Sequence, residues 1–219
     1  MDIVEWLLNQ YIHHTRRKVW EPLSEMFPLR QEGYLMLIRI NKQHLILNEE
    51  MKREIGYFIK KHLIDTSSIT FQVNGTENLL AVLALSGSRI EQEQITQIEE
   101  FIQNILVLEK NRIYFAVSSL YSDMESCGNK AYEEAMAAMK YSFYEEERYL
   151  QAEKYLSDEK QEDSVGSEAI LNSIKEGNLE KSEAIFEKIT EVLSEHKSVQ
   201  PDIFKRKIVF FFFRILRYM

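Results

Sequence analysis

The sequence predicts an α+β protein with one mixed, mainly antiparallel sheet and helices packed on it. Apolar runs of strand length alternate with segments whose apolar residues recur every three or four positions, the period of a helix. The dipeptide Asn74-Gly75 separates two of these runs and predicts a hairpin, because both residues tolerate positive φ. Only seven Gly and three Pro in 219 residues indicate few tight turns and much helix.

The N-terminal stretch, residues 2–25, has apolar residues at helical spacing and predicts a helix. Pro22 should end or kink this helix near Trp20, because proline lacks the N–H that a helix interior needs. The apolar surface is too wide for a lone helix. We expect it to pack either on the domain or on a second copy as a short coiled coil. Residues 1–30 are therefore interpreted as an N-terminal helix and linker.

The central region, residues 31–157, predicts the order strand, helix, strand, strand, helix, strand, helix. A βαββαβ pattern of this kind is expected to place its helices on one face of the sheet. The first strand is almost continuously apolar and should lie in the middle of the sheet. The predicted elements before the last helix are 33–41, 44–64, 68–73, 79–85, 90–108 and 112–118.

The last helix of this region follows a polar connection. Asn129 should cap it, because the side-chain oxygen of Asn can accept a free N–H of the first turn. Its apolar stripe should begin at Tyr132 and have i, i+3, i+4, i+7 spacing. The predicted stripe is Tyr132, Ala135, Met136, Met139 and Phe143.

The remainder, residues 158–219, predicts a C-terminal helical region. The polar stretch 157–167 has no apolar period and is the best candidate for a linker. Three segments with helical patterns follow it, at 167–176, 179–193 and 201–219.

Composition excludes several functional classes. A net charge of −8 argues against nucleic-acid binding by this chain alone, because contacts to phosphates need a basic surface. The single cysteine, Cys127, rules out an internal disulfide and fits a reducing compartment. The longest apolar run, 208–213, is far too short for a membrane span, and no signal peptide is visible. We expect a cytoplasmic protein without membrane contact.

The strand and helix in 113–144 resemble the end of degenerate GGDEF-like domains. More narrowly, they are similar to the middle region of AraC-type, YesN-like response regulators of Gram-positive bacteria. That group has a helix of the form Ser-Tyr-x-x-Ala-x-x-Ala-x-x-Tyr. The positions that match it here are Tyr132, Ala135, Ala138 and Tyr141.

Two further parts of the chain share this resemblance. The strand 33–41 and the Asn74-Gly75 hairpin stand where that family has its first strand and its signature hairpin. Residues 170–193 look like the helical segment that leads to the DNA-binding helices. The resemblance implies a cyclase- or ferredoxin-like βαββαβ sheet.

The residues present do not suit catalysis. A cyclase needs carboxylates at the end of its first strand to hold two divalent ions. In register, those places have Arg39 and Asn41, and a cation and a neutral amide cannot hold the ions. The hairpin keeps one glycine and Glu77 of the expected two glycines and acids. No other catalytic motif is found, so we expect no enzymatic activity, no cofactor and no metal.

The resemblance implies a non-catalytic regulatory and dimerisation module of a bacterial transcriptional response regulator. It would link an upstream receiver or sensor to a downstream DNA-binding domain, with DNA bound only through a domain absent from this chain. A homodimer is the expected form. The alternative is a ligand-sensing domain with a vestigial nucleotide-binding cleft, formed by Asn41, His44, Asn74, Gly75 and Glu77.

Overall fold

A computed structural model describes residues 3–13, 21–42, 47–63, 66–76, 78–108, 112–143 and 148–156, with six isolated residues between 172 and 187. The chain divides into two compact units. The first comprises Met1–Ser142 with Glu146–Leu156, and the second comprises Phe143–Glu145 with Ser157–Met219. The sheet and the elements numbered below lie in the first unit.

The first unit contains a five-stranded mixed sheet, which confirms the predicted α+β class. Its strand order is β2-β3-β1-β4-β5, and only the β4–β5 pair is parallel. The strands are β1 (Tyr34–Ile40), β2 (Ser67–Gln72), β3 (Leu79–Leu85), β4 (Ile113–Val117) and β5 (Tyr149–Gln151). The helices are α1 (Ile3–His13), α2 (Glu21–Met26), α3 (Glu49–His62), α4 (Gln92–Leu106), α5 (Met124–Lys140) and α6 (Ala152–Leu156).

The main hydrophobic core lies between one face of the sheet and helices α3 and α4. Alternate residues of β1, from Tyr34 to Ile40, meet Ile55 and Ile59 of α3 and Ile98 of α4. Asn48 caps α3, since its Oδ1 accepts from the N–H of Met51 at 2.8 Å. The buried residues of both helices therefore point into this core.

Helix α5 packs on the other face of the sheet, against β1 and β4, and α1 packs beside α5. The two helices within the βαββαβ pattern, α3 and α4, share one face as predicted, whereas α5, which follows the pattern, covers the opposite face. Strand β1 is buried along both faces, with Leu35 and Leu37 at 0% exposure on the α5 side. An almost continuously apolar strand needs cover on both sides, so the composition of β1 already required a second helical layer.

The start of α5 also differs from the prediction. The helix begins at Met124, with Asp123 as its N-cap, so Asn129 lies within it. Asn129 Nδ2 instead donates to the Ile12 carbonyl oxygen of α1 at 2.8 Å. The buried stripe is shifted to smaller residues, and Tyr132 and Met136 are only partly buried. The stripe consists of Met124, Gly128, Ala131, Ala135, Ala138 and Met139.

The N-terminal prediction needs one correction. Pro22 lies in the first turn of α2 and does not end a helix there. The N–H that proline lacks has no intrahelical partner in a first turn, so this position accommodates it. Residues 14–20, where the predicted helix end near Trp20 falls, lie outside the described residues. Of the two predicted packing modes, α1 has the first, because Leu8, Tyr11 and Ile12 are buried within the domain.

The second unit is described at Asn172, Glu176, Glu180, Lys181, Ala184 and Glu187. The N–H of Glu176 donates to the Asn172 carbonyl oxygen at 2.9 Å, which is one helical turn. Lys181 Nζ lies 3.1 Å from Glu176 Oε2. The predicted helices at 167–176, 179–193 and 201–219 otherwise lie outside the described residues.

Candidate functional site

The β2–β3 hairpin contains two of the predicted ligand-binding residues. The backbone N–H of Thr76 donates to the Val73 carbonyl oxygen at 3.2 Å, and its hydroxyl donates to the same oxygen at 2.8 Å. Gly75 has φ of 78°, a conformation that costs glycine little and other residues more. Asn74-Gly75 therefore forms the tight turn that its sequence predicts.

Helix α1 closes the outer edge of this hairpin with two side chains. Asn9 Nδ2 donates to the Gln72 carbonyl oxygen at 2.8 Å, and Asn9 Oδ1 accepts from the N–H of Asn74 at 2.8 Å. Glu5 Oε1 accepts from the N–H of Gln72 at 3.0 Å. Asn9 has 0% exposure. β2 is an edge strand, so its outer N–H and C=O groups could pair with a further strand. The side chains of Asn9 and Glu5 hydrogen-bond to these groups instead.

Sequence reasoning missed Asn9 and Glu5. A polar residue in an amphipathic helix is normally assigned to the solvent-facing side. The signal available was the position of Asn9 next to Leu8 and close to Tyr11 and Ile12, all buried in the structure. That position predicts burial, and a buried amide needs hydrogen-bond partners.

A cleft of about 440 Å³ lies between the hairpin, α1 and the start of α3. Lys52 Nζ is 2.5 Å from Glu49 Oε1 and 3.7 Å from Glu5 Oε1. One ammonium between two carboxylates leaves this cleft with a net negative charge, which disfavours a phosphate. Its lining is Glu5, Glu49, Lys52, Gln72, Val73, Asn74, Gly75 and Thr76.

The end of β1 forms a separate feature, where the resemblance points to metal-binding carboxylates. The N–H of Asn41 donates to the Arg112 carbonyl oxygen at 2.7 Å, and the N–H of Ile40 donates to the Asn78 carbonyl oxygen at 2.9 Å. These bonds fix the end of β1 between β3 and β4. Asn41 is exposed, whereas Arg39 is partly buried.

The Arg39 guanidinium lies on the sheet face that α5 covers, between two neighbours in register. Leu79 of β3 and Tyr114 of β4 are directly opposite Arg39 on either side. Burial lowers the pKa of Arg39, which nevertheless remains a cation. Among the described residues, no carboxylate pairs with this guanidinium.

The predicted cleft residues are therefore only partly brought together. Asn74 and Gly75 line the hairpin cleft, whereas Asn41 lies at the end of β1 and is not among the described residues that line it. His44 and Glu77 lie outside the described residues.

In the described part of the chain, no group of three or more His, Cys, Asp or Glu side chains is placed to hold a metal ion. No helix among those residues has the length and apolar character to span a membrane.

Comparison with known proteins gives no family assignment. No protein-family model matches the chain, and no curated protein matches it.

Proposed function

We propose that the chain is a non-catalytic regulatory and dimerisation module of a bacterial, AraC-type transcriptional response regulator. It relays a signal from an upstream receiver or sensor to a downstream DNA-binding domain. The observation that carries this proposal is the pair Arg39 and Asn41 at the end of β1. A cyclase of the resembling fold needs metal-binding carboxylates there, and a guanidinium repels the ions that such a site holds.

The sheet supports the part of the proposal that concerns the fold. Its first four strands have the order β2-β3-β1-β4 with antiparallel pairing throughout. This is the arrangement expected for a βαββαβ, ferredoxin-like unit, to which β5 adds a parallel edge strand. A degenerate GGDEF-like domain fits this arrangement.

The packing of α1 supports the relay. Helix α1 contacts the β2 edge through Asn9, and it contacts α5 through Tyr11, whose ring lies against Gly128. A force on α1 therefore acts on the edge strand and on α5 together. At its C-terminal end α5 packs against α6, with the rings of Tyr141 and Tyr155 stacked at 4.5 Å. Helix α6 leads directly into residues 157–219.

The proposal excludes enzymatic turnover of nucleotides. An assay with the purified chain tests this exclusion. GTP or ATP is incubated with Mg²⁺ or Mn²⁺, and cyclic and linear nucleotide products are separated by chromatography. We expect no product above a protein-free control, because Arg39 stands in the place of a metal ligand. Protein-dependent formation of a cyclic nucleotide or a cyclic dinucleotide would overturn the proposal.

A second candidate function is a ligand-sensing domain with a vestigial nucleotide cleft. The cleft of about 440 Å³ beside Asn74 and Gly75 favours it. The net negative charge from Glu5, Glu49 and Lys52 argues against a phosphate there. Calorimetry with GTP and cyclic di-GMP separates the two candidates, since the sensor predicts saturable heat and the absence of heat at millimolar ligand would exclude it.

A further inference from the structure

An exposed stripe of side chains runs along α3 and contains a large aromatic residue. The stripe consists of Glu50, Glu54, Tyr57 and Lys61. Their spacing of i, i+4, i+7 and i+11 places them on one side of the helix, opposite the residues that α3 buries in the core. Tyr57 is 73% exposed, so its ring leaves apolar area in water that a protein contact would cover.

The charges of this stripe are separated along the helix. Glu50 and Glu54 precede Tyr57, whereas Lys61 follows it. Among the described residues, none forms an ion pair with Glu54 or Lys61. The stripe is therefore acidic at one end and basic at the other, with an aromatic ring between the two charges.

A surface that complements this stripe has the same pattern in the reverse direction, and a second copy of α3 provides it. Glu54 and Lys61 are seven residues apart, which is about 10.5 Å along the helix axis, and Tyr57 lies between them. If two α3 helices cross antiparallel at the midpoint of this interval, Glu54 of each chain lies opposite Lys61 of the other. The two tyrosine rings then meet near the centre of the contact.

The charges also select the orientation of the two helices. In a parallel pair, Glu54 would lie opposite Glu54 and Lys61 opposite Lys61, and both contacts would be repulsive. In the antiparallel pair, the exposed cations Arg53 and Lys60 lie on one flank of the stripe, at the rim, where solvent screens their charges. A two-fold contact of this kind uses the same surface of both chains, as is usual for homodimers.

We propose that two copies of this chain associate through the stripe on α3, with the two helices antiparallel and Tyr57 at the centre. The inference rests on the dimerisation that the proposed function includes, and it names the surface that forms the dimer. A contact centred on one helix from each chain buries less area than a standard interface, so the association is weak and reversible.

Sedimentation velocity of the whole chain and of charge-reversal variants tests this surface. Glu54→Lys and Lys61→Glu each place like charges at both symmetric contacts, so each should weaken self-association by at least about tenfold. Glu133→Lys is the matched control, because Glu133 is exposed on α5, on the other face of the sheet, and the change in charge is the same as in Glu54→Lys. It should associate as the wild type does.

A mixture of the two variants provides the decisive measurement. When fluorescently labelled Glu54→Lys is mixed with unlabelled Lys61→Glu, each lysine of one chain lies opposite a glutamate of the other. The labelled chain should therefore sediment as a heterodimer, although neither variant associates well alone. The double variant Glu54→Lys/Lys61→Glu should likewise recover self-association.

Tyr57→Ala tests the centre of the contact. It should weaken self-association while the variant stays folded, because the ring is exposed in the single chain; circular dichroism in urea checks the fold. If the wild type dimerises and all these variants dimerise equally well, the α3 surface is wrong and dimerisation stands. Absence of a heterodimer in the mixture would overturn the antiparallel contact. A wild type that stays monomeric would overturn both the surface and the dimerisation in the proposed function.

Discussion

The buried side chain of Asn9 and the backbone of Asn74 form a hydrogen bond of 2.8 Å that joins the N-terminal helix to the β2–β3 hairpin. The other end of the same amide donates to the Gln72 carbonyl oxygen at 2.8 Å. One side chain thus satisfies an N–H and a C=O two residues apart on an edge strand. This bond makes α1 part of the folded domain.

Replacing Asn9 with alanine should destabilise the domain by about 1–3 kcal/mol, because two partly buried hydrogen bonds to the backbone of Gln72 and Asn74 are lost. Urea denaturation followed by circular dichroism measures the loss. Gln10→Ala is the matched control, since Gln10 is the next residue of α1 and is only partly buried, and it should cost less than about 1 kcal/mol. Equal losses for the two variants would contradict the role of Asn9.

Gly128→Ala should disrupt the α1–α5 contact. A Cβ at Gly128 would lie 2.0 Å from Tyr11 Cζ, so the ring or the helix must shift, at a cost of about 1–3 kcal/mol. The free energy of unfolding, measured in urea, gives this cost. Gly56→Ala is the control in α3, where the nearest atom to a Cβ is 3.4 Å away. It should be neutral or stabilise by up to about 1 kcal/mol, because alanine favours helix more than glycine does.

A double variant checks the physical reason for the Gly128 effect. Tyr11→Leu removes most of the atoms that the new Cβ would strike, so Gly128→Ala should cost less in that background. Additive losses in the double-mutant cycle would show that the clash with Tyr11 is not the cause.

Gly75→Ala should destabilise the hairpin by about 1 kcal/mol, because alanine is strained in the left-handed region. Among the described residues, nothing lies within 4 Å of a Cβ at this position, so the expected cost is conformational. Gly75→Asn should cost less, since Asn tolerates positive φ better than alanine does. Thermal unfolding measures both variants, and a larger loss for Gly75→Asn would contradict the assignment.

The ion pair between Arg89 and Glu153 should make stability depend on pH. The hydrogen bonds from Arg89, one of them 2.8 Å long, lower the pKa of Glu153 below its usual value. The unfolded chain then takes up this proton more readily. The stabilisation is therefore complete above the ordinary Glu pKa of about 4.3 and is lost as the pH falls through the folded value.

Glu153→Gln tests this dependence by urea unfolding at pH 7 and pH 3. At pH 7 the free energy of unfolding of the wild type should exceed that of the variant by less than about 1 kcal/mol, because Glu153 is 54% exposed and solvent screens the ion pair. The difference should be smaller at pH 3 than at pH 7. Glu100→Gln, at an exposed position of α4, is the control and should show a smaller change between the two pH values. A difference that persists unchanged at pH 3 would refute the assignment.

Much of the sheet follows from the sequence for physical reasons. The predicted strand 79–85 coincides with β3, and β1, β2 and β4 each differ from the predictions by one residue at each end. Uninterrupted apolar runs leave a strand few alternatives, and Asn74-Gly75 fixes where the chain reverses. Strand order depends on contacts between residues that are distant in sequence, so local sequence patterns do not predict which residues pair.

The errors concern features that only tertiary contacts decide. The predicted cap at Asn129 leaves Gly128 before the helix, yet Gly128 lies inside α5, where its missing side chain leaves room for the ring of Tyr11. The buried stripe of α5 uses Ala131, Ala135 and Ala138, whereas hydrophobicity favours larger residues such as Tyr132 and Met136. Small residues let α5 approach its neighbours closely, and their burial cannot be inferred from their modest hydrophobicity.

Dimerisation, on which the proposed function depends, is tested by sedimentation velocity of the whole chain over a wide concentration range. We expect a weight-average sedimentation coefficient that rises with concentration towards the value for two chains. A sedimentation coefficient that stays at the value for one chain up to about 1 mM protein would contradict dimerisation. At that concentration even a weak association with a Kd of about 1 mM would be populated.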